Sequence, residues 1–366
     1  MVDDTGRRRV VVVSADIGAG HDAAAAELAS RLGEQGLRVD RLNVLSLLPR
    51  PLHIAVRETY RNMLRWLPWS YQAIFTISGR SRLYPALIRA VTRPAARRML
   101  DWLPPDTGII VTTWPFANQL LGPLRRDGRI PAPVITYVTD FVVHPTWVSP
   151  GVDIYCVIHH EALQQAKTNG ASDVRVVCPL VSARFSQSDL SRRQARRRFG
   201  LPEEGRLALI VAGSWGAGKI ARTAAEVLAT GCAQPVIVCG RNEKLHRQLR
   251  RFPGYVLGWV DDMPSLMRAV DVLVENAGGL TCQESFAAGL STVTYRPLPG
   301  HGKANALILA RAGLTHYVPS ANRLKPMLTE LMAQGAAAPA APSGIDMAAV
   351  VTEVCRQAER RSLPSP

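Results

Sequence analysis

The chain has 366 residues, too many for one ordinary hydrophobic core and enough for two domains of usual size. Hydrophobic residues make up 47% and charged residues 20%, which excludes a disordered or fibrous chain, and no run of about eighteen apolar residues is present to span a bilayer. A formal net charge of +15, carried mostly by Arg, calls for an anionic partner: nucleic acid, an anionic membrane surface or a phosphorylated ligand.

Taken in chain order, Val10–Ser14, Arg38–Val44, Gly108–Thr112, Val134–Val138, Ile154–Val157 and Val174–Val177 read as buried parallel strands between amphipathic or Ala-rich helices. The first run is too short for a signal peptide and flows straight into a glycine turn. The rhythm restarts with Leu207–Ala212, Val236–Val238, Tyr255–Leu257, Val272–Glu275 and Thr292–Tyr295. Such alternation predicts two doubly wound, Rossmann-like parallel sheets. The boundary is expected near Ser182–Pro202, a linker followed by a basic helix. This gives domains at 1–185 and 200–332, then a 333–366 tail: an Ala/Pro-rich loop at Ala333–Gly344 and a helix at Ile345–Arg361, expected to pack back across the junction. Cys156, Cys178, Cys232, Cys239, Cys282 and Cys355 form no CxxC pair and read as reduced, buried thiols of a cytoplasmic protein.

Arg50–Leu100 interrupts the alternation. It holds ten Arg and one acid, Glu58, interleaved with Trp66, Trp69, Tyr71, Phe75 and Tyr84. Arg57, Arg61 and Arg65 fall on one helical face. Aromatics beside a cationic face suit an anionic membrane surface; a solvated amphipathic helix pair is the alternative.

Four segments could carry chemistry. In SADIGAGHD, glycines 18 and 20 let the backbone turn tightly before a helix, and His21 stands at its opening, where a neutral imidazole can take a proton from a hydroxyl. The dinucleotide pattern GxGxxG fails here because residue 23 is Ala. GSWGAGKI, from Gly213 and Ser214 onward, nearly spells a P-loop, but Ile220 stands where magnesium needs a Ser or Thr oxygen. Its glycines still suit a diphosphate. In ENAGGLTCQE, Gly278 and Gly279 precede a helix carrying Thr281 and Glu284; Glu284 could bind a ribose diol or close a capping box with Thr281. TDFVVHPTW leaves Asp140 and His144 at the C-terminal edge of a strand, where ligands of open α/β sheets bind.

Together, SADIGAGH, TDFVVHPTW, GSWGAGK, GWVDDMPSLMRAVDVLVENAGGLTCQES and PLPGHGKANA resemble the monogalactosyldiacylglycerol synthase and processive diacylglycerol glucosyltransferase family, and more distantly the peptidoglycan N-acetylglucosaminyltransferase, over roughly residues 8–318. The resemblance implies a GT-B fold, two Rossmann-like domains facing across a cleft. The first would meet the membrane and a diacylglycerol-like lipid acceptor, and the second would bind a UDP-sugar. It also implies inverting transfer with UDP-sugar as donor substrate and no further cofactor. The absence of any Asp-x-Asp fits metal-independent transfer, with helix N-termini and cations neutralising the diphosphate. By resemblance Glu284 holds the ribose; Gly278, Gly279 and Thr281 surround the diphosphate; Gly213 and Ser214 face it. His21 is the first candidate for acceptor recognition or the base, with Asp140 and His144 as the others. Where family members carry Gln and an acid to read the sugar, this chain has His301, Gly302 and Lys303 before Asn305, which leaves the sugar open and would tolerate an anionic one. The acceptor is open too, between diacylglycerol and a polyprenyl or phosphoglycolipid. The expected location is the cytoplasmic face of the plasma membrane, bound peripherally. The competing classes are a P-loop-like ATPase and a nucleic-acid binder; no helix-turn-helix, zinc finger or RNA-recognition signature supports the latter, so no nucleic acid is expected.

Overall fold

A computed structural model describes residues 9–81, 83–187, 190–211, 213, 216–334 and 342–362. The chain divides into two compact units, Met1–Thr59 with Ile74–Leu180 and Pro342–Pro366, and Tyr60–Ala73 with Val181–Ala341. The elements run β1 (Arg9–Ser14), α1 (Gly20–Glu34), β2 (Val39–Asn43), α2 (Arg50–Trp66), α3 (Pro68–Arg80), α4 (Tyr84–Thr92), α5 (Ala96–Trp102), β3 (Thr107–Thr112), α6 (Pro115–Arg126), β4 (Val134–Tyr137), β5 (Ile154–Val157), α7 (His160–Thr168) and β6 (Val174–Val176). They continue as α8 (Arg192–Arg198), β7 (Leu207–Val211), α9 (Ile220–Ala229), β8 (Gln234–Val238), α10 (Glu243–Leu249), β9 (Tyr255–Leu257), α11 (Met263–Ala269), β10 (Val272–Glu275), α12 (Leu280–Ala287) and β11 (Thr292–Tyr295), and end with α13 (His301–Arg311), β12 (His316–Val318), α14 (Ala321–Gln334) and α15 (Met347–Ser362).

The first unit holds a six-stranded parallel sheet in the order β2-β1-β3-β4-β5-β6. Val10, Val11, Val12 and Val13 are all fully buried, because helices cover both faces of such a sheet and neither side of the strand can be polar. The second unit holds another, β12-β11-β10-β7-β8-β9. Along β7, Ala208 and Ile210 enter one core while Leu207, Leu209 and Val211 enter the core on the opposite face, the period of two that a pleated strand imposes. The expected strands all form. β12 is additional: its His316 and Tyr317 are only half-buried at the sheet edge, so no apolar run announces it.

Each sheet reverses its winding once, between β1 and β3 in the first unit and between β7 and β10 in the second. The loops leaving those strand pairs diverge to opposite sides, and the gap between them is where open α/β sheets bind ligands.

Two assignments differ from the sequence-based domains. The C-terminal helix belongs to the first unit: Ile345 bridges Val177 beside β6, Arg31 pairs with Asp346 at 3.4 Å, and Arg175 with Glu353 at 3.1 Å. Tyr60–Ala73 groups with the second unit, where Gly300 N–H donates to Gln72 Oε1 at 2.7 Å and the Tyr71 hydroxyl meets His301 Nδ1 at 2.9 Å. Most of the Ala/Pro loop lies outside the described residues. Cys156, Cys239, Cys282 and Cys355 are buried thiols, and Cys178 and Cys232 half-buried ones.

Candidate active site

In the first unit, His21 sits in the opening turn of α1, after Gly18 takes a left-handed φ of +79° that a side chain would resist. Its Nδ1 lies 2.8 Å from the Thr113 carbonyl and 3.0 Å from Thr139 Oγ1, and the Thr113 hydroxyl donates to the His21 carbonyl at 2.9 Å. Thr113 follows β3 and Thr139 follows β4, so the imidazole is pinned where the sheet reverses. A carbonyl can only accept, so Nδ1 carries the proton and Nε2 keeps its lone pair. Burial holds the imidazole pKa below its ordinary value, against the pull of the Asp140 charge and the Thr113 carbonyl. His21 is therefore neutral at pH 7.

Asp140, half-buried at the end of β4, accepts from Trp147 Nε1 at 3.3 Å, and the Trp147 ring lies 6.1 Å from that of His21. His144 is built differently. It is 9% exposed, its Nδ1 caps the turn at Pro145–Trp147 through Thr146 N and Oγ1, and its Nε2 meets Ser78 Oγ at 3.0 Å. Both of its ring nitrogens are engaged. Thr113, Thr139 and Trp147 went unread in the sequence; two threonines just past strand ends were the available signal.

Just before His21, Asp16 accepts from Asn43 Nδ2 at 2.8 Å and from Arg57 Nη1 at 2.9 Å, and meets His53 Nε2 at 2.9 Å. Burial would raise its pKa, but these partners outweigh burial and hold the carboxyl below the usual range. Arg57, read from its spacing as a membrane-facing cation, is thus tied to the turn before His21.

In the second unit the loops after β7 and β10 meet at the reversal. Asn276 Nδ2 donates to the Ala217 carbonyl at 2.9 Å. Gly213, Gly216 and Gly218 all have positive φ, and Lys219 is the exposed N-cap of α9; Ser214 lies outside the described residues. Across the junction, Glu275 is 3% exposed, and its Oε2 accepts from the N–H groups of Ala277 and Gly278, both at 2.6 Å, while Oε1 accepts from Thr294 Oγ1 at 2.5 Å. This acid, missed in the sequence although it ends an apolar strand, fixes the turn that opens α12. Gly278 has φ +63°, and a Cβ there would come 2.7 Å from that of Asn305. Asn305 itself is fully buried and donates to the Ala277 carbonyl at 3.4 Å, bracing the turn from within.

Gly279 is the N-cap of α12 and no side chain caps it. Thr281 is already inside the helix, so the capping-box reading of Thr281 and Glu284 does not hold. Glu284 is half-buried, has no hydrogen-bond partner among the described residues, and is pushed by burial up to about 8. The N-cap of α13, Gly300, has no side chain to cap with, and its own N–H goes to Gln72 Oε1. There, His301 is engaged by Tyr71, and Lys303 is exposed.

Two Rossmann-like units, each a six-stranded parallel sheet with loops at its own winding reversal, are the architecture of the GT-B class of glycosyltransferase fold. Over 96% of this chain and 95% of its own, the crystal structure of Acinetobacter baumannii MurG superposes with a TM-score of 0.51 at 19% identity. Residues 21–178 match the family described as monogalactosyldiacylglycerol (MGDG) synthase, and residues 207–343 match the glycosyltransferase family 28 C-terminal domain. The chain is similar to the processive diacylglycerol beta-glucosyltransferase of Bacillus subtilis, 26% identical over 89% of this chain and 87% of that protein. The Bacillus pumilus protein of the same name is 31% identical, and there the match spans 54% of this chain and 53%, about half, of the relative.

Proposed function

We propose that the protein transfers a hexosyl group from a UDP-hexose to the hydroxyl of a diacylglycerol-like lipid, inverting the anomeric carbon. The observation that carries the reading is the His21 imidazole, held neutral with its proton on Nδ1 and Nε2 open. As the acceptor oxygen attacks the anomeric carbon, its proton passes to Nε2, the bond from that carbon to the diphosphate oxygen breaks and UDP leaves, and the nearby Asp140 carboxylate stabilises the imidazolium that forms. The second unit holds the donor: the N-terminus of α12 and the glycine turns offer N–H groups to the diphosphate, and Glu284 takes the ribose hydroxyls. No further cofactor enters this scheme. Asp140 and His144 then act as positioning groups, His144 by locking the 144–147 turn that carries Trp147.

The same reading places the first unit on the anionic inner face of the plasma membrane. No described helix is long and apolar enough to cross a membrane. Tyr71, Phe75 and Tyr84, read in the sequence as interfacial aromatics, are half-buried, the last two against His144 and Tyr71 against His301. Trp69, by contrast, is 70% exposed, and the first unit exposes aliphatic side chains as well: Ile77 at 70%, and Leu83, Leu87 and Val91 at 78, 57 and 67%. The last three recur every fourth residue along α4, with exposed Arg80, Arg93 and Arg97 nearby in sequence. Such a stripe enters the acyl boundary while Arg meets lipid phosphate.

Thermal shifts with UDP, GDP, dTDP and ATP, followed by transfer from UDP-glucose to diacylglycerol in anionic vesicles, test the whole. Stabilisation by UDP with labelled glycolipid formed supports it. Stabilisation by ATP with phosphate release returns the P-loop reading, and UDP binding with transfer only to a polyprenyl phosphate moves the acceptor class.

A further inference from the structure

Asn276 stands where the loops after β7 and β10 meet, and half of its amide is unaccounted for. The side chain is 5% exposed. Nδ2 donates to the Ala217 carbonyl, which settles the orientation of the amide, and leaves Oδ1 buried without a hydrogen-bond partner among the described residues. The surroundings hold the group in place. A Cβ at Gly218 would come 2.4 Å from Nδ2, the Asn276 carbonyl accepts from Leu298 N–H at 2.6 Å, and a Cβ at Gly302, in the first turn of α13, would come 3.1 Å from the Asn276 carbonyl oxygen.

Buried polar oxygens are nearly always satisfied, so one left without a partner in a braced loop calls for one from outside the chain. An amide oxygen only accepts, so a diphosphate, itself an acceptor at neutral pH, cannot be that partner. The partner must bring a hydroxyl or N–H. Glu284 lies on α12, one turn beyond the glycine pair, whereas Asn276 lies before it and against the start of α13. Resting on the donor-site reading above, we infer that Asn276 Oδ1 accepts a hydrogen bond from one hydroxyl of the transferred hexose, making Asn276 a residue that selects the donor sugar.

The test is calorimetric binding of UDP, UDP-glucose, UDP-galactose and the single-position deoxy forms of each hexose, to the native protein and to Asn276→Ala and Asn276→Asp. In the native protein one deoxy position should weaken binding by about 10- to 100-fold. In Asn276→Ala that penalty should vanish while UDP affinity stays within about twofold; Asn276→Asp, which keeps an acceptor oxygen, should retain it. Equal affinity of the native protein for every deoxy form overturns the inference without recourse to any variant. So does an equal loss of UDP and UDP-hexose affinity in Asn276→Ala, which would make the amide a brace of the loop. A native protein that binds no UDP at all sinks the donor-site reading itself, a result distinct from both.

Discussion

His21 Nδ1 lies 2.8 Å from the carbonyl oxygen of Thr113, a residue 92 positions away, and this contact decides which ring nitrogen is free to take a proton. If Nε2 is the base, His21→Ala lowers turnover by at least about 10²-fold with UDP affinity unchanged. His21→Gln, which keeps a hydrogen-bonding group but cannot take the proton at neutral pH, should fall as far. Because burial lowers this pKa, activity should rise with pH and reach half its plateau below the ordinary imidazole value of about 6.5. A plateau reached only above pH 7.5, or a Gln variant with most of the activity, would leave His21 as an orienting group.

The raised pKa of Glu284, about 8, makes it a carboxylic acid at pH 7 in the unliganded protein. Ribose hydroxyls bind best to the carboxylate, so UDP binding should release a fraction of a proton at pH 7. Affinity should then strengthen as pH rises toward about 8 and level off above it. Calorimetry in buffers of different ionisation enthalpy reads this directly. Glu284→Ala should cost about one to two decades in UDP affinity and leave the melting temperature nearly unchanged, since the side chain caps nothing.

Glu275 behaves in the opposite way, because its work is internal. Glu275→Gln replaces a carboxylate that accepts three hydrogen bonds, and bonds to a charged group are worth about 1.5–3 kcal/mol. The melting temperature should fall by several degrees, and UDP affinity should fall with it as the Gly278 turn loosens. Scanning calorimetry alongside UDP titration separates this joint loss from the affinity-only loss at Glu284.

Changing Leu83, Leu87 and Val91 together to Ser should abolish sedimentation with anionic vesicles while transfer to a detergent-solubilised acceptor persists. Each fully buried aliphatic side chain contributes on the order of 1.5–3 kcal/mol, so even partial insertion of three outweighs a single arginine. Vesicle binding unaltered by the triple change would make the stripe an ordinary exposed helix face.

His21, His144 and His159 all have pKa values lowered first by burial. Each binds fewer protons folded than unfolded, so the stability they permit is fully present above about pH 6.5 and is lost as pH falls toward their folded values. The melting temperature should therefore drop between pH 7 and pH 5. Replacing His159, whose Nε2 reaches the Phe141 carbonyl, by Gln should flatten that dependence. A profile equally steep in the variant would move the effect to other groups.

Periodicity and glycine placement alone determined that this chain makes two parallel sheets, because a strand covered on both faces must be apolar throughout and a strand-to-helix turn needs glycine. They also located SADIGAGH, GSWGAGK and the glycine pair before α12, since such turns are local. Tertiary structure alone decided what those turns contain. Thr113 and Thr139 reach His21 from other strands, Asp16 pairs with Arg57 while that side chain stays exposed, and Tyr71 and Phe75 turn inward although the pattern of aromatics and Arg suggested an interface. Neither the burial of Glu275 nor the unpaired oxygen of Asn276 can be read from spacing. Whether a polar side chain braces a turn or awaits a ligand depends on partners that are distant in sequence, and only the folded sheet brings them within hydrogen-bond reach.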